Sequence, residues 1–222
     1  LQLPSPLCTL GLGFQDADRP LVHAAFLGEE GLSGTGARVS YSPPTPFYLN
    51  IIGEVTNVWD DAPAFGHFDQ GNPLDPSDDA LVRGGSRRGD LGYLARVETF
   101  KDLTESQNLY LGLSYATAAW DAEGMERSHL SGLDVTYRWK NPRRAIYRSL
   151  LIQVERLHRS SERLDAPDFT RDGGFAYVDY QFARRWRLGA RYDWSESLDE
   201  SETERGAGVL GYLTFTPSEF SS

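Results

Sequence analysis

The chain has 222 residues, of which 40% are hydrophobic, with a single cysteine and a formal net charge of -10. The acidic balance argues against a nucleic-acid partner, which would call for clustered Lys and Arg. Cys8 has no internal disulfide partner, and no run approaches the ~18 consecutive apolar residues of a membrane-spanning helix. Mean composition is blind to a strand that hides its apolar side chains at every second position, so the pattern along the chain has to be read directly.

Residues 1–35 form an irregular N-terminal segment. Leu1 to Gln15 is apolar and carries Pro4 and Pro6 without alternation, whereas Asp16 to Thr35 has Pro20 and the Gly28, Gly31 and Gly34 punctuation of a long loop. The apolar cluster Leu21, Val22, Phe26 and Leu27 predicts a loop that packs against something, folding into a barrel mouth; a short surface helix is the competing reading.

Residues 36–222 read as strands. A strand points successive side chains to opposite faces. Phe47, Leu49, Ile51 and Val55 oppose Tyr48, Asn50, Glu54 and Thr56, and Leu109, Leu111, Leu113 and Tyr115 oppose Asn108, Tyr110, Gly112 and Ser114. Leu133, Val135, Tyr137 and Trp139 oppose Asp134, Thr136, Arg138 and Lys140. The period is cleanest in Trp186, Leu188, Ala190, Tyr192 and Trp194 against Arg187, Gly189, Arg191, Asp193 and Ser195. With 37–42, 90–101, 146–159, 173–183 and 204–216 there are nine strands, the last two ranges alternating more loosely. An odd number predicts at least one further strand, because bacterial single-chain barrels are even-numbered.

The links alternate in length. Those at 43–45, 102–104, 141–144 and 184–185 are predicted tight turns, and those at 58–89, 119–129, 160–172 and 197–203 are long and polar. This is the layout of an outer-membrane barrel, with short periplasmic turns and long exterior loops. The five tryptophans, Trp59, Trp120, Trp139, Trp186 and Trp194, sit at strand ends, where an apolar ring with one N–H donor suits the boundary between acyl chains and water.

With the apolar rows facing lipid, the lumen is lined by Arg38, Glu54, Arg96, Glu98, Asp134, Arg138, Glu155, Asp179, Arg187, Arg191 and Asp193. Such a mixed lining holds water and filters by size and dipole, whereas a one-sign ring would select strongly. The competing reading is that these pairs only staple neighbouring strands. The acidic groups Asp60, Asp61, Asp69, Asp75, Asp78, Asp79 and Glu196, Asp199, Glu200, Glu202, Glu204 fall in predicted loops. They suit either divalent cations shared with lipopolysaccharide phosphates or a solvated surface.

No phosphate loop, paired-cysteine metal spacing or nucleophile elbow is present, and His23, His67 and His158 are scattered, so neither enzyme chemistry nor a metal or cofactor is expected. The one arrangement weighed is His129-Leu130-Ser131, whose spacing resembles the His-x-Ser of outer-membrane phospholipases, but the sequence assigns it no orienting Asn or Asp.

Four stretches, Arg19-Pro20-Leu21-Val22, Phe26-Leu27-Gly28-Glu29-Glu30-Gly31-Leu32, Pro44-Thr45-Pro46-Phe47-Tyr48-Leu49 and Thr216-Pro217-Ser218-Glu219-Phe220, resemble Gram-negative outer-membrane porin-like proteins. That group is loosely joined to phosphate-selective porins, and some members are labelled zinc-regulated TonB-dependent outer-membrane receptors. The resemblance runs from about Asp16 onward and carries no catalytic residue. It implies a partial antiparallel up-and-down transmembrane β-barrel in the bacterial outer membrane, with membrane lipid, lipopolysaccharide and small hydrophilic solutes as partners.

The expected function is a passive or weakly selective channel. Two other classes compete with it: a TonB-dependent receptor for a metal complex, which needs a plug, and a soluble β-sandwich used for binding. Homo-oligomers, porin-like trimers among them, are compatible with the pattern, although no break in the lipid-facing rows marks a subunit contact.

Overall fold

The computed structural model of the chain describes residues 2–4, 19–28, 31–57, 62–65, 67–68, 81–82, 91–119, 126–141, 147–163, 167–198 and 205–216. Chain order begins with β1 (Gln2–Pro4), helix α1 (Leu21–Leu27), β2 (Ser33–Tyr41) and β3 (Tyr48–Thr56). A 3-10 turn (Pro63–Phe65) and the two short strands β4 (His67–Phe68) and β5 (Leu81–Val82) follow. Seven long strands complete it: β6 (Gly92–Thr104), β7 (Gln107–Ala119), β8 (Arg127–Lys140), β9 (Ser149–Ser161), β10 (Phe169–Ala183), β11 (Trp186–Glu196) and β12 (Arg205–Phe215).

The protein is all-β apart from α1 and the 3-10 turn. Its main sheet has ten strands in the order β1-β2-β3-β6-β7-β8-β9-β10-β11-β12, every pair antiparallel, and β4 and β5 form a separate two-stranded sheet. From β2 to β12 the order is up-and-down, and the sheet does not close into a barrel: β12 pairs with β11 alone among the described residues. All nine strands expected from alternation are present.

Three details differ from expectation. The turn expected at 102–104 lies inside β6, and the chain reverses at Glu105 and Ser106, because Asn108 donates to Asp102 at 2.6 Å and prolongs the ladder past an irregularity between Asp102 and Thr104. Part of the irregular N-terminal segment is ordered: β1 pairs with the start of β2, and residues 21–27 form a helix. That helix packs one side against the sheet, where Val22, Phe26 and Leu27 have no exposure at all, and leaves Leu21 and Ala24 exposed on the other.

Antiparallel partners directly opposite one another share a face. One row therefore runs through Asn50, Glu98, Gly112, Asp134, Glu155, Phe175 and Asp193 across β3 and β6 to β11. This polar face is the buried one, and the apolar face is open: Ile51, Val97, Leu113, Leu133, Val154, Val178, Leu188 and Val209 are all exposed. The sheet is thus inverted relative to one whose apolar side packs on a core.

Two glycines on the sheet hold aromatic rings. Tyr212 lies directly opposite Gly189, where a Cβ would come within 2.2 Å of its ring, and the Trp194 ring lies over its partner Gly174, where a Cβ would stand 2.6 Å from it. Large rings covering glycines restore the contact that the missing side chain leaves open. Gly189→Val is expected to lower unfolding stability in denaturant titration by about 1–3 kcal/mol through overpacking against Tyr212. Gly211→Ala, where nothing lies within 4 Å of the new Cβ, should leave it within about 0.5 kcal/mol.

Candidate functional site

The polar face is organised around Arg96. Its side chain is fully buried, and its guanidinium reaches Asp134 Oδ1 at 2.8 Å and Glu98 Oε2 at 3.3 Å while donating to the hydroxyls of Ser114 and Tyr110. Glu98 in turn accepts from the Tyr110 hydroxyl at 2.8 Å and the Asn50 amide at 3.0 Å. Gly112 makes the room, since a Cβ there would stand 2.4 Å from both Arg96 Nη2 and Asp134 Oδ1. A side chain at that point of the row would push the pair apart. At the β2 side of the sheet Arg38 meets Glu54 at 3.3 Å.

A second set of pairs occupies the other half. Arg191 meets Asp193 at 2.8 Å and its Nη2 donates to the Arg19 carbonyl. Asp179 accepts from the Tyr212 hydroxyl at 2.7 Å and faces Arg187 at 3.3 Å, and the Tyr177 and Tyr212 hydroxyls touch, their rings stacked with centroids 6.4 Å apart. Glu155 is met from above by His23 of α1, Nε2 to Oε1 at 2.8 Å, and the same imidazole stands edge-on to Phe175. An isolated carboxylate away from water is costly, and each of these pairings offsets part of that cost.

All eleven residues expected to line a lumen stand on this face, and all but Arg138 are in one of these ion pairs. Arg138 is exposed near the short-turn end of β8, opposite Asn108 and Leu151. Alternation also places Tyr110, Gln153, Arg159, Tyr177 and Tyr212 here, none of them among the residues expected from the sequence. Arg159 is buried, donates to Ser128 at 3.1 Å and lies over the Phe169 ring together with Arg163 and Arg171. His23 carried no signal in the sequence, because its place depends on where α1 docks.

Trp139, Trp186 and Trp194 are on the apolar face, the first two at the short-turn end and the third at the long-loop end. Trp186 packs on Phe215 with centroids 4.7 Å apart, and Trp194 stacks with Tyr192. Trp59, Trp120 and the acidic loop residues other than Glu196 lie outside the described residues. The apolar face also carries charges: Arg156, directly opposite Leu133 in mid-sheet, and His158 share Asp172, and Arg205 meets Glu196.

His129 does gain a carboxylate, Glu162, at 3.2 Å, but it also contacts the Tyr115 hydroxyl through Nδ1 at 2.7 Å. Both ring nitrogens are thus engaged by groups other than Ser131. Among the described residues no cluster of three or more His, Cys, Asp or Glu is arranged to hold a metal ion.

No family model matches the chain, and no solved structure matches it. An uncharacterised protein of Aquifex aeolicus (strain VF5) is 30% identical over 229 residues, covering 92% of this chain and 46% of that protein. The chain spans about half the length of that relative.

Removing one member of a buried ion pair strands the other, whereas replacing both with apolar groups is often neutral. Arg96→Met is therefore expected to cost about 3–5 kcal/mol in equilibrium unfolding. The double variant Arg96→Met with Asp134→Leu should regain most of that loss, and a double variant no more stable than the single one would show that the pair is not the organising contact.

Proposed function

We propose that this chain forms part of an outer-membrane β-barrel of the porin-like kind, which passes small hydrophilic solutes through a lumen lined by its polar face. The observation that carries the reading is the inversion of the sheet. Exposed Leu, Val, Ile and Tyr cover the middle of one face while ion pairs fill the other, which suits hydrocarbon on one side and enclosed water on the other. Strands β6 to β12 are 11 to 15 residues long, enough for the ~9–11 that a tilted strand needs to cross a bilayer.

The links add support. Strands β6 and β7, and β10 and β11, are joined by two residues each, whereas β3 and β6 are separated by residues 57–91. Closure would also satisfy the edges. The outer edge of β12 carries neither Lys nor Pro and presents Val209 and Leu213 openly, and an unpaired ladder of this kind is stable in lipid only when another strand meets it. A soluble sandwich would place a second sheet over the apolar face, and the only other sheet among the described residues is the β4–β5 pair.

A channel of this kind is water-filled, and its mixed lining discriminates weakly by charge. Trp139, Trp186 and Trp194 would stand at the lipid boundary, with lipid and lipopolysaccharide as neighbours.

Two measurements test the reading. Purified protein added to a planar bilayer should give discrete conductance steps without deletion of any part of the chain; a barrel that conducts only once a separate plug domain is deleted would favour the receptor class instead. Leu113→Arg, in the middle of the apolar face, should destabilise protein folded into vesicles by about 2–4 kcal/mol. If that face meets water, the same substitution would be nearly neutral.

A further inference from the structure

The polar face changes character along its length. Toward the short hairpins it carries Arg96, Glu98, Asp134, Asp179 and Arg191, whereas toward the long loops Leu94, Ala116, Ala118, Leu130 and Leu157 stand among the buried Thr56, Ser128, Arg159 and Ser161. These apolar residues are buried together with Val22, Phe26 and Leu27 of α1 and with Ala64 and Phe65 of the 3-10 turn. Ser128 fixes that turn by donating to the Ala64 carbonyl at 2.8 Å. A wall meeting water has no use for such residues, whereas a wall meeting a fitted apolar segment requires them.

The approach is closest at Gly173, where a Cβ would stand 2.6 Å from Val22 Cγ2. Only glycine lets the helix seat so near the strand. The polar ties of this segment to the wall include His23 to Glu155 and Arg191 to the Arg19 carbonyl. The helix has seven residues and no side-chain cap at its N-terminus, too short to hold its shape without the wall. Behind it Gly28 and Gly31 have φ of 68° and 71°, conformations that glycine adopts without strain and that give the segment two turning points before β2 begins.

Resting on the channel reading above, we infer that α1 with Pro20 and Gly28 is a displaceable stopper on the long-loop side of the lumen. Seated as in this structure, α1 and the 3-10 turn cover the apolar part of the wall, and solute passes when α1 swings away about Gly28 and Gly31. Its apolar underside makes the closed state dry, and its His23 contact places one polar tie at the border with the ion-paired zone.

The test uses the whole protein with Cys8→Ser as background. Val22→Cys with Gly173→Cys brings two thiols together, since Val22 Cβ stands 3.3 Å from an ideal Cβ at position 173, close to disulfide geometry. Oxidised protein, its cross-link verified by mass, should conduct several-fold less than reduced protein, and reductant should restore the conductance. Separately, Ala116→Cys on the covered wall should react with a polar maleimide at least ten-fold faster when Phe26→Ser is added. Equal conductance with and without the cross-link overturns gating, and equal labelling with and without Phe26→Ser overturns the cover itself. Protection of Ala116→Cys in a protein that conducts in no variant would instead defeat the channel reading, and gating with it, while leaving the cover standing.

Discussion

A carboxylate held away from water has to be met by a cation or by hydrogen-bond donors, and on this sheet that requirement falls on the enclosed face. Glu54, Asp134, Glu155, Asp179 and Asp193 are all buried. Asp134 and Glu155 are direct cross-strand partners, an arrangement of like charges that is unfavourable unless each finds a counter-charge elsewhere. Asp134 turns to Arg96 on one side of it, and Glu155 turns up to His23 on α1. The two solutions tie β6, β7 and β8 together through one guanidinium and attach the helix through one imidazole. Strand pairing, the docking of α1 and the vacancy at Gly112 all follow from satisfying that one row.

The other face faces no such demand, because its side chains are apolar and the backbone ladder already uses the N–H and C=O groups. What it requires is an environment that does not penalise exposed Leu, Val and Ile. Burying about 1.5–3 kcal/mol worth of surface per such side chain is the usual reason for a fold to turn them inward. Here the ion-paired row occupies the inward side, so the apolar rows cannot turn in without exposing or stranding the charges. A medium as apolar as hydrocarbon would resolve the conflict, so the proposed membrane setting and the sheet's two faces bear on each other.

Much of this was legible from period alone. Alternation located every long strand, because the two faces differ in polarity and a strand repeats every second residue. It also placed the ion-paired residues on one face without any contact being known. Strand ends were less legible: the side-chain bond between Asn108 and Asp102 continues β6 past the predicted turn. The helix was legible only as the competing reading beside a packed loop, because Pro20 offers no side-chain cap and seven residues give barely two turns of pattern. Tyr110, Tyr177 and Tyr212 escaped notice as site residues because a tyrosine reads equally as a lipid-facing ring or as an enclosed hydroxyl, and only the partner decides which.

The places where alternation failed carry information of their own. The stretch 173–183 was a loose match because Gly173, Phe175 and Tyr177 give its enclosed side almost no charge, so both faces look apolar. Gly173 lies under Val22, and Phe175 is buried beside the His23 ring. The same holds for Leu94, Ala116, Leu130 and Leu157, apolar on a face that is otherwise charged. A strand breaks its two-residue polarity rule where something dry sits on its wet side, so local conflict between pattern and position marks a contact that the strand cannot make alone. Here the conflicts converge on one patch, and the segment covering that patch comes from the part of the chain whose own sequence showed the least regularity.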